Sequence, residues 1–266
     1  MFRRFYGLRE KPFSKTPDPR FLFMSRGHQE ALARLQYAVE EREPALLTGE
    51  IGSGKTTISR ALMDSLDDSH RFCFIFNPVL TPLEFLRVVA RNLGLENPAD
   101  CKDELLKEIT GELYNCHNEG GCPVIVIDEA QLIPGREVFE EIRLLTNFQL
   151  DDKNLLSMIV MGQPEVRKKL ADPVFEPLRQ RIGVQYHLAP LDLEETMEYM
   201  DFRLKVAGGK PGLFSPEAIQ LIHELSGGVP RRINAIATNA LLVGYGKDAA
   251  WIDDSVIEEV RNELVI

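Results

Sequence analysis

The chain has 266 residues, 44% hydrophobic and 27% charged, a size and balance that fit one substantial core plus a smaller subdomain and exclude a single small module. A formal net charge of −10 argues against non-specific adhesion to nucleic acid as its main task. No apolar stretch approaches the roughly 20 residues of a membrane span, and the start, Met-Phe-Arg-Arg-Phe-Tyr-Gly, lacks the apolar stretch of a signal peptide, so a soluble cytoplasmic protein is expected.

Residues 1–26 carry seven Arg or Lys against two acids, interleaved with Phe2, Phe5, Tyr6 and Phe13. A nucleic-acid arm is one reading; the expectation adopted is an ordered arm that packs its aromatics and leaves its cations in water. Arm and first helix together make residues 1–42. From residue 45 the pattern alternates: strand 45–48, helix 55–66, strand 71–77, helices 82–94 and 101–118, strand 123–128, helix 136–149, strand 155–161, short helices within 164–180, strand 183–188. Such an order implies a three-layer α/β core, residues 43–190, whose parallel five-stranded sheet has helices on both faces. After Pro190 the strands stop. Helical stretches near 192–207, 215–226, 230–244 and 253–264 predict a small all-α lid over 191–266. Asp192 with Glu195 is a capping-box pattern, Gly208-Gly209 closes that helix, and Ser215-Pro216-Glu217 starts the next.

The chemistry is concentrated in Gly49-Glu50-Ile51-Gly52-Ser53-Gly54-Lys55-Thr56, a complete G-x-x-x-x-G-K-[ST] phosphate-binding loop between an apolar strand and a helix that runs on through Thr57. Its glycines let backbone N–H groups point at phosphates, and the helix N-terminus adds a favourable dipole. Lys55 is expected against the β- and γ-phosphates, and the Thr56 hydroxyl on Mg²⁺. A second motif, Pro123-Val124-Ile125-Val126-Ile127-Asp128-Glu129, is an apolar run ending in two carboxylates. Asp128 is expected to hold Mg²⁺ through its water shell, and Glu129 to orient or deprotonate the water that attacks the γ-phosphate. Cys73, Cys101, Cys116 and Cys122 lack metal-ligand spacing and read as free thiols, Cys73 within the core. His28 and His187 read as packed or surface histidines.

A helical lid after a P-loop α/β core makes the sequence resemble an AAA+ ATPase, and within that superfamily the ExeA-type, or general secretion pathway protein A-like, ATPases. The resemblance is carried by Phe-Tyr-Gly-Leu-Arg-Glu-Lys-Pro-Phe at 5–13, Thr-Pro-Asp-Pro-Arg-Phe-Leu-Phe at 16–23, the phosphate loop, Ile-Asp-Glu-Ala-Gln at 127–131, Glu-Ile-Arg-Leu-Leu-Thr-Asn at 141–147, Met-Gly-Gln-Pro-Glu-Val-Arg at 161–167 and Leu-Ser-Gly-Gly-Val-Pro-Arg-Arg-Ile-Asn at 225–234. It implies ATP and Mg²⁺ as ligands. It also implies Gln163 as the sensor-1 amide beside the attacking water, Arg181 (with Arg179 as second choice) as an arginine finger, and Arg231 rather than Arg232 as the sensor-2 arginine of the lid. A finger acts on a neighbouring subunit, so self-association into a ring or filament is implied as well. The expected partner is a secretion, pilus or export machine, with the protein cytoplasmic or peripheral at the inner membrane. The alternatives are a DNA-linked regulator resembling transposition ATPases and a slow-turnover nucleotide-gated switch.

Overall fold

A computed structural model describes residues 2–14, 18–150 and 153–263; Thr16, Pro17 and the arm cation Lys15 lie outside the described residues. In chain order the helices are α1 (Phe2–Phe5), α2 (Arg26–Glu40), α3 (Lys55–Ser65), α4 (Pro82–Asn92), α5 (Lys102–Asn118), α6 (Arg136–Leu145), α7 (Pro164–Leu170), α8 (Glu176–Arg179), α9 (Leu193–Val206), α10 (Pro216–Ser226), α11 (Pro230–Gly246) and α12 (Asp254–Glu263). The strands are β1 (Ala45–Gly49), β2 (His70–Ile75), β3 (Cys122–Ile127), β4 (Gln149–Leu150), β5 (Lys153–Asn154), β6 (Ser157–Gly162) and β7 (Val184–Leu188). They fall into two compact units that do not follow chain order, one made of residues 29–49 and 58–188, the other of 1–28, 50–57 and 189–266.

The first unit is a parallel five-stranded sheet in the order β2-β3-β6-β1-β7. Every residue of β1, β3 and β6 is buried, which is why these strands read as continuous apolar runs rather than alternating ones. Successive residues feed opposite faces. Leu46, Ile125, Ile127 and Val160 pack with Phe85 of α4, Ile109 of α5 and Phe139 of α6, while Ala45, Leu47, Val126 and Ile159 pack with Leu35 of α2 and Ile58 and Leu62 of α3. The result is the three-layer core expected from the sequence.

Several boundaries differ from expectation by a few residues, among them two C-terminal ends. The helix predicted over 136–149 ends at Leu145, because the Thr146 hydroxyl caps the Arg143 carbonyl at 2.7 Å and the Phe148 carbonyl accepts the Leu155 N–H at 2.8 Å, starting the β4-β5 hairpin. The strand predicted over 71–77 stops at Ile75; Phe76 is exposed with its ring stacked on Phe74. Burial pushes the Cys73 thiol up to about 12, and likewise raises Cys116 and Cys122, so these three thiols stay protonated and unreactive.

In the second unit the arm and the lid share one core. Tyr6, Leu8, Phe13 and Phe21 are buried with Tyr199, Leu204, Ile222, Ile233, Ala240 and Ile257. Polar bonds complete the seam: buried Arg203 of α9 donates to the carbonyls of Pro12 (2.7 Å) and Ser14 (3.1 Å), and Thr238 of α11 to that of Phe13 (3.2 Å). Three successive arm carbonyls are thereby satisfied, and the Arg203 guanidinium lies over the rings of Phe21 and Tyr199. The Asp192–Glu195 capping box forms as read, and Ser215 caps α10. Among the described residues no helix is long and apolar enough to cross a membrane.

Candidate functional site

In the first unit all strands of the five-stranded sheet run in parallel, so the C-terminal ends of β1, β3 and β6 lie at one edge, where open α/β sheets bind ligands. Asp128 and Glu129 leave β3 there, and Gln163 leaves the neighbouring β6. Asp128 is buried, its N–H bonded to the Ile75 carbonyl at 2.9 Å and its Oδ1 accepting the Glu129 N–H at 2.8 Å. Glu129 is left-handed, φ 53° and ψ 38°, a conformation costing a non-glycine residue about 1–2 kcal/mol. Such cost is characteristic of functional positions whose surroundings over-determine the backbone. The surroundings here are two amides: Gln131 Nε2 and, at 3.4 Å, Gln163 Nε2 both donate to Glu129 Oε2. The structure thus brings Glu129 and Gln163 together, and adds Gln131.

On α8 and the turn after it the two candidate finger arginines behave differently. Arg179 is engaged, ion-paired with Glu176 and donating to the Ala171 carbonyl at 3.4 Å. Half-buried Arg181 has no side-chain hydrogen bond or ion pair among the described residues. His187 is exposed on β7, its Nδ1 3.1 Å from the Thr48 hydroxyl of the adjacent β1.

In the second unit the phosphate loop continues from Gly49 and ends where α3 begins at Lys55. Gly52 (φ 83°) and Gly54 (φ 106°) hold backbone conformations that other residues rarely adopt, and neither has room for a side chain. A Cβ at Gly52 would lie 2.3 Å from Arg231 Cβ, and one at Gly54 would lie 2.6 Å from His28 Nε2. Lys55 is 7% exposed and its Nζ donates to the Glu50 carbonyl at 3.0 Å, which keeps the ammonium on the loop. The Ser53 hydroxyl is buried without a partner among the described residues. Tight glycines, a buried lysine and the N-terminus of an 11-residue helix fit a phosphate-bearing ligand. Thr56 and Asp128 are oxygen donors of the type Mg²⁺ takes when substrate phosphates supply the rest of its shell.

Two further contacts hold this loop from within the unit. Arg231, in the first turn of α11, donates its backbone N–H to the Gly52 carbonyl at 3.3 Å, while the side chains of Arg231 and Arg232 are exposed. His28 is 5% exposed, with Nε2 3.0 Å from the Ser53 carbonyl oxygen and Nδ1 2.7 Å from Ser25 Oγ. A carbonyl only accepts, so the proton sits on Nε2 and Nδ1 accepts a hydrogen bond from the Ser25 hydroxyl. Burial is the largest influence on His28 and pulls its pKa below 6.5; the bond to Ser53 and the charge of Glu195 oppose that shift. The same turn ties to the lid, since the Arg26 N–H donates to Glu195 at 3.1 Å and its guanidinium to Glu194 at 2.8 Å. The sequence reads His28 only as a packed or surface histidine and Gln131 only as the last residue of the 127–131 motif, with no role for either. Spacing offers a faint hint for His28, three residues after a serine that caps its helix, and none for Gln131.

A family model described as an AAA domain matches residues 39–170. Among solved structures, Cdc6p from Pyrobaculum aerophilum matches with a TM-score of 0.72 at 18% identity, covering 94% of this chain and 72% of that one. Fold and phosphate loop together define a P-loop protein of the AAA+ class. General secretion pathway protein A of Aeromonas hydrophila is 42% identical over 250 residues, 93% of this chain and 45% of that protein. Within the AAA+ class the chain is therefore similar to general secretion pathway protein A over nearly all of its own length. An uncharacterized HTH-type transcriptional regulator of Methanocaldococcus jannaschii is 26% identical over 147 residues, 54% of this chain and 35% of the regulator. The chain spans less than half the length of these two relatives.

Proposed function

We propose that the protein is a Mg²⁺-dependent ATPase that couples nucleotide hydrolysis to the assembly or regulation of a larger machine. The observation that carries this reading is the meeting of Glu129 and Gln163 at the ends of neighbouring central strands, in a chain with a complete phosphate loop. ATP is the substrate. Backbone N–H groups of residues 50–54 and the Lys55 ammonium receive its β- and γ-phosphates, and Thr56 and Asp128 would hold the metal. Mg²⁺, when bound, supplies positive charge to the phosphate oxygens. A water oxygen attacks the γ-phosphorus, the bond to the β–γ bridging oxygen breaks to leave ADP, and the water's proton passes to the Glu129 carboxylate. Gln163 hydrogen-bonds the water or the γ-phosphate. Arg181 acts on the nucleotide of a neighbouring copy, a role favoured by the engagement of Arg179 with Glu176. Arg231, whose backbone sits on the loop at Gly52, links the lid to the nucleotide.

The secretion-pathway relative supports a machine of secretion, pilus or export type as partner, served from the cytoplasmic side of the inner membrane by a self-associated ring or filament. The likeness to an HTH-type regulator supports a second reading, a DNA-linked regulator. Steady-state phosphate release tests the enzyme: the wild type should turn over ATP with Mg²⁺, and Glu129→Gln should bind ATP yet lose at least ~10²-fold in rate. A Glu129→Gln variant with full activity would remove Glu129 from the mechanism.

A further inference from the structure

We propose that Gln131 is the positioning residue that holds Glu129 for water attack and ties its placement to the end of β6; the inference rests on the ATPase reading above. The Gln131 amide is a two-ended link. Its Nε2 donates to Glu129 Oε2, and its Oε1 accepts the backbone N–H of Gln163 at 3.0 Å. A carboxylate only accepts and a backbone N–H only donates, so the amide fits one way round. Gln163 Nε2 reaches the same Glu129 oxygen at 3.4 Å. Two amide donors therefore converge on Oε2, while Oε1 accepts no hydrogen bond among the described residues. A carboxylate held by one oxygen keeps the lone pairs of the other for a water.

The local backbone explains how Gln131 gets there. Left-handed Glu129 turns the chain back on itself, and the Leu132 N–H closes the turn on the Glu129 carbonyl at 2.8 Å, leaving Gln131 half-buried beside the carboxylate. Gly162, the last residue of β6, provides the space: a Cβ there would lie 2.8 Å from Gln131 Oε1 and 2.5 Å from Val166 Cγ2. Gln131 thus bonds the residue expected to deprotonate water and the backbone of the residue expected to sense the γ-phosphate. A displacement of Gln163 reaches Glu129 through a single side chain.

The test is ATP hydrolysis by the full chain with Gln131→Leu, which keeps the volume and removes both hydrogen bonds. The expected result is a kcat about 10- to 10²-fold lower with KM and ATP affinity within about threefold of wild type and an undiminished number of ATP sites per chain, which a misfolded fraction would reduce. Because Gln131 acts through Glu129, adding Gln131→Leu to Glu129→Gln should cost nothing further. Gln131→Glu keeps the size and polarity should the leucine variant fail to fold; it removes the Nε2 donor to Glu129 and should lower kcat at least as far with KM again within about threefold of wild type. Wild-type kcat in both variants, or losses that multiply in the double variant, would overturn the inference while leaving the ATPase reading intact. A wild type without turnover would overturn both.

Discussion

The imidazole of His28 donates from Nε2 to the carbonyl oxygen of Ser53 at 3.0 Å, so the first turn of α2 holds the phosphate loop in place. Loss of this donor in His28→Ala leaves a buried carbonyl unsatisfied, costing about 1–3 kcal/mol. We expect a lower melting temperature and weaker ATP binding in the same variant. The bond also carries a pH signature. Burial depresses the His28 pKa below 6.5, so the folded state binds this proton less tightly than the unfolded chain. Its contribution is therefore fully present above pH 6.5 and is lost as the pH falls below that value. Thermal melts from about pH 5 to about pH 8 should show the gap between wild type and His28→Gln narrowing on the acid side. A gap independent of pH contradicts the assignment.

Gly52→Ala should uncouple lid from loop. The new Cβ meets Arg231 Cβ at 2.3 Å, and the residue is held at φ 83°. Overpacking of this kind costs about 1–3 kcal/mol. Reduced stability together with impaired nucleotide binding is expected from calorimetry, and wild-type values for both would show that the loop tolerates a side chain here.

Lys55→Ala should abolish tight ATP binding. Truncating one partner of a buried charge pair costs about 2–5 kcal/mol, roughly 30- to 5,000-fold in affinity. Direct binding measurements check this, and unchanged affinity would dissociate Lys55 from the phosphates.

Arg181→Ala should bind ATP almost normally and lose about 10³–10⁵ in hydrolysis rate, as fingers do. Arg179→Ala should do far less, because that guanidinium is already engaged by Glu176. Mixing Arg181→Ala with Lys55→Ala subunits should recover activity, since a mixed interface can pair an intact loop with an intact arginine. If no ratio recovers activity and the chain is monomeric with ATP and Mg²⁺, the finger does not act between copies.

DNA binding should be weak at about 150 mM salt, no tighter than the 10⁻⁴–10⁻⁶ M range of non-specific contacts, and should not stimulate hydrolysis. Arg3, Arg4, Arg9 and Lys11 are exposed on the arm, but Arg20 is paired with Glu10 and Asp18 in a chain of net charge −10. Tight, ATP-dependent duplex binding that is lost on neutralising Arg3, Arg4 and Arg9 would move the protein to the DNA-linked reading.

Much of this was legible in the amino-acid order because it is local. Eight consecutive residues spell the phosphate loop, an apolar run ending in Asp128-Glu129 spells a buried strand that delivers carboxylates to a sheet edge, and the Asp192–Glu195 cap lies within one helical turn. Tertiary structure alone decided the contacts that join distant positions. Arg203 satisfies the Pro12 carbonyl across 191 residues and makes the basic arm part of the helical unit. His28 reaches Ser53 across 25 residues, and Gln131 finds Gln163 across 32. Composition cannot say which of several possible donors a side chain will meet, because that depends on the path of the chain between them. Arg179 and Arg181 are alike as letters; a glutamate one turn before the first engages it and leaves the second without a side-chain bond among the described residues.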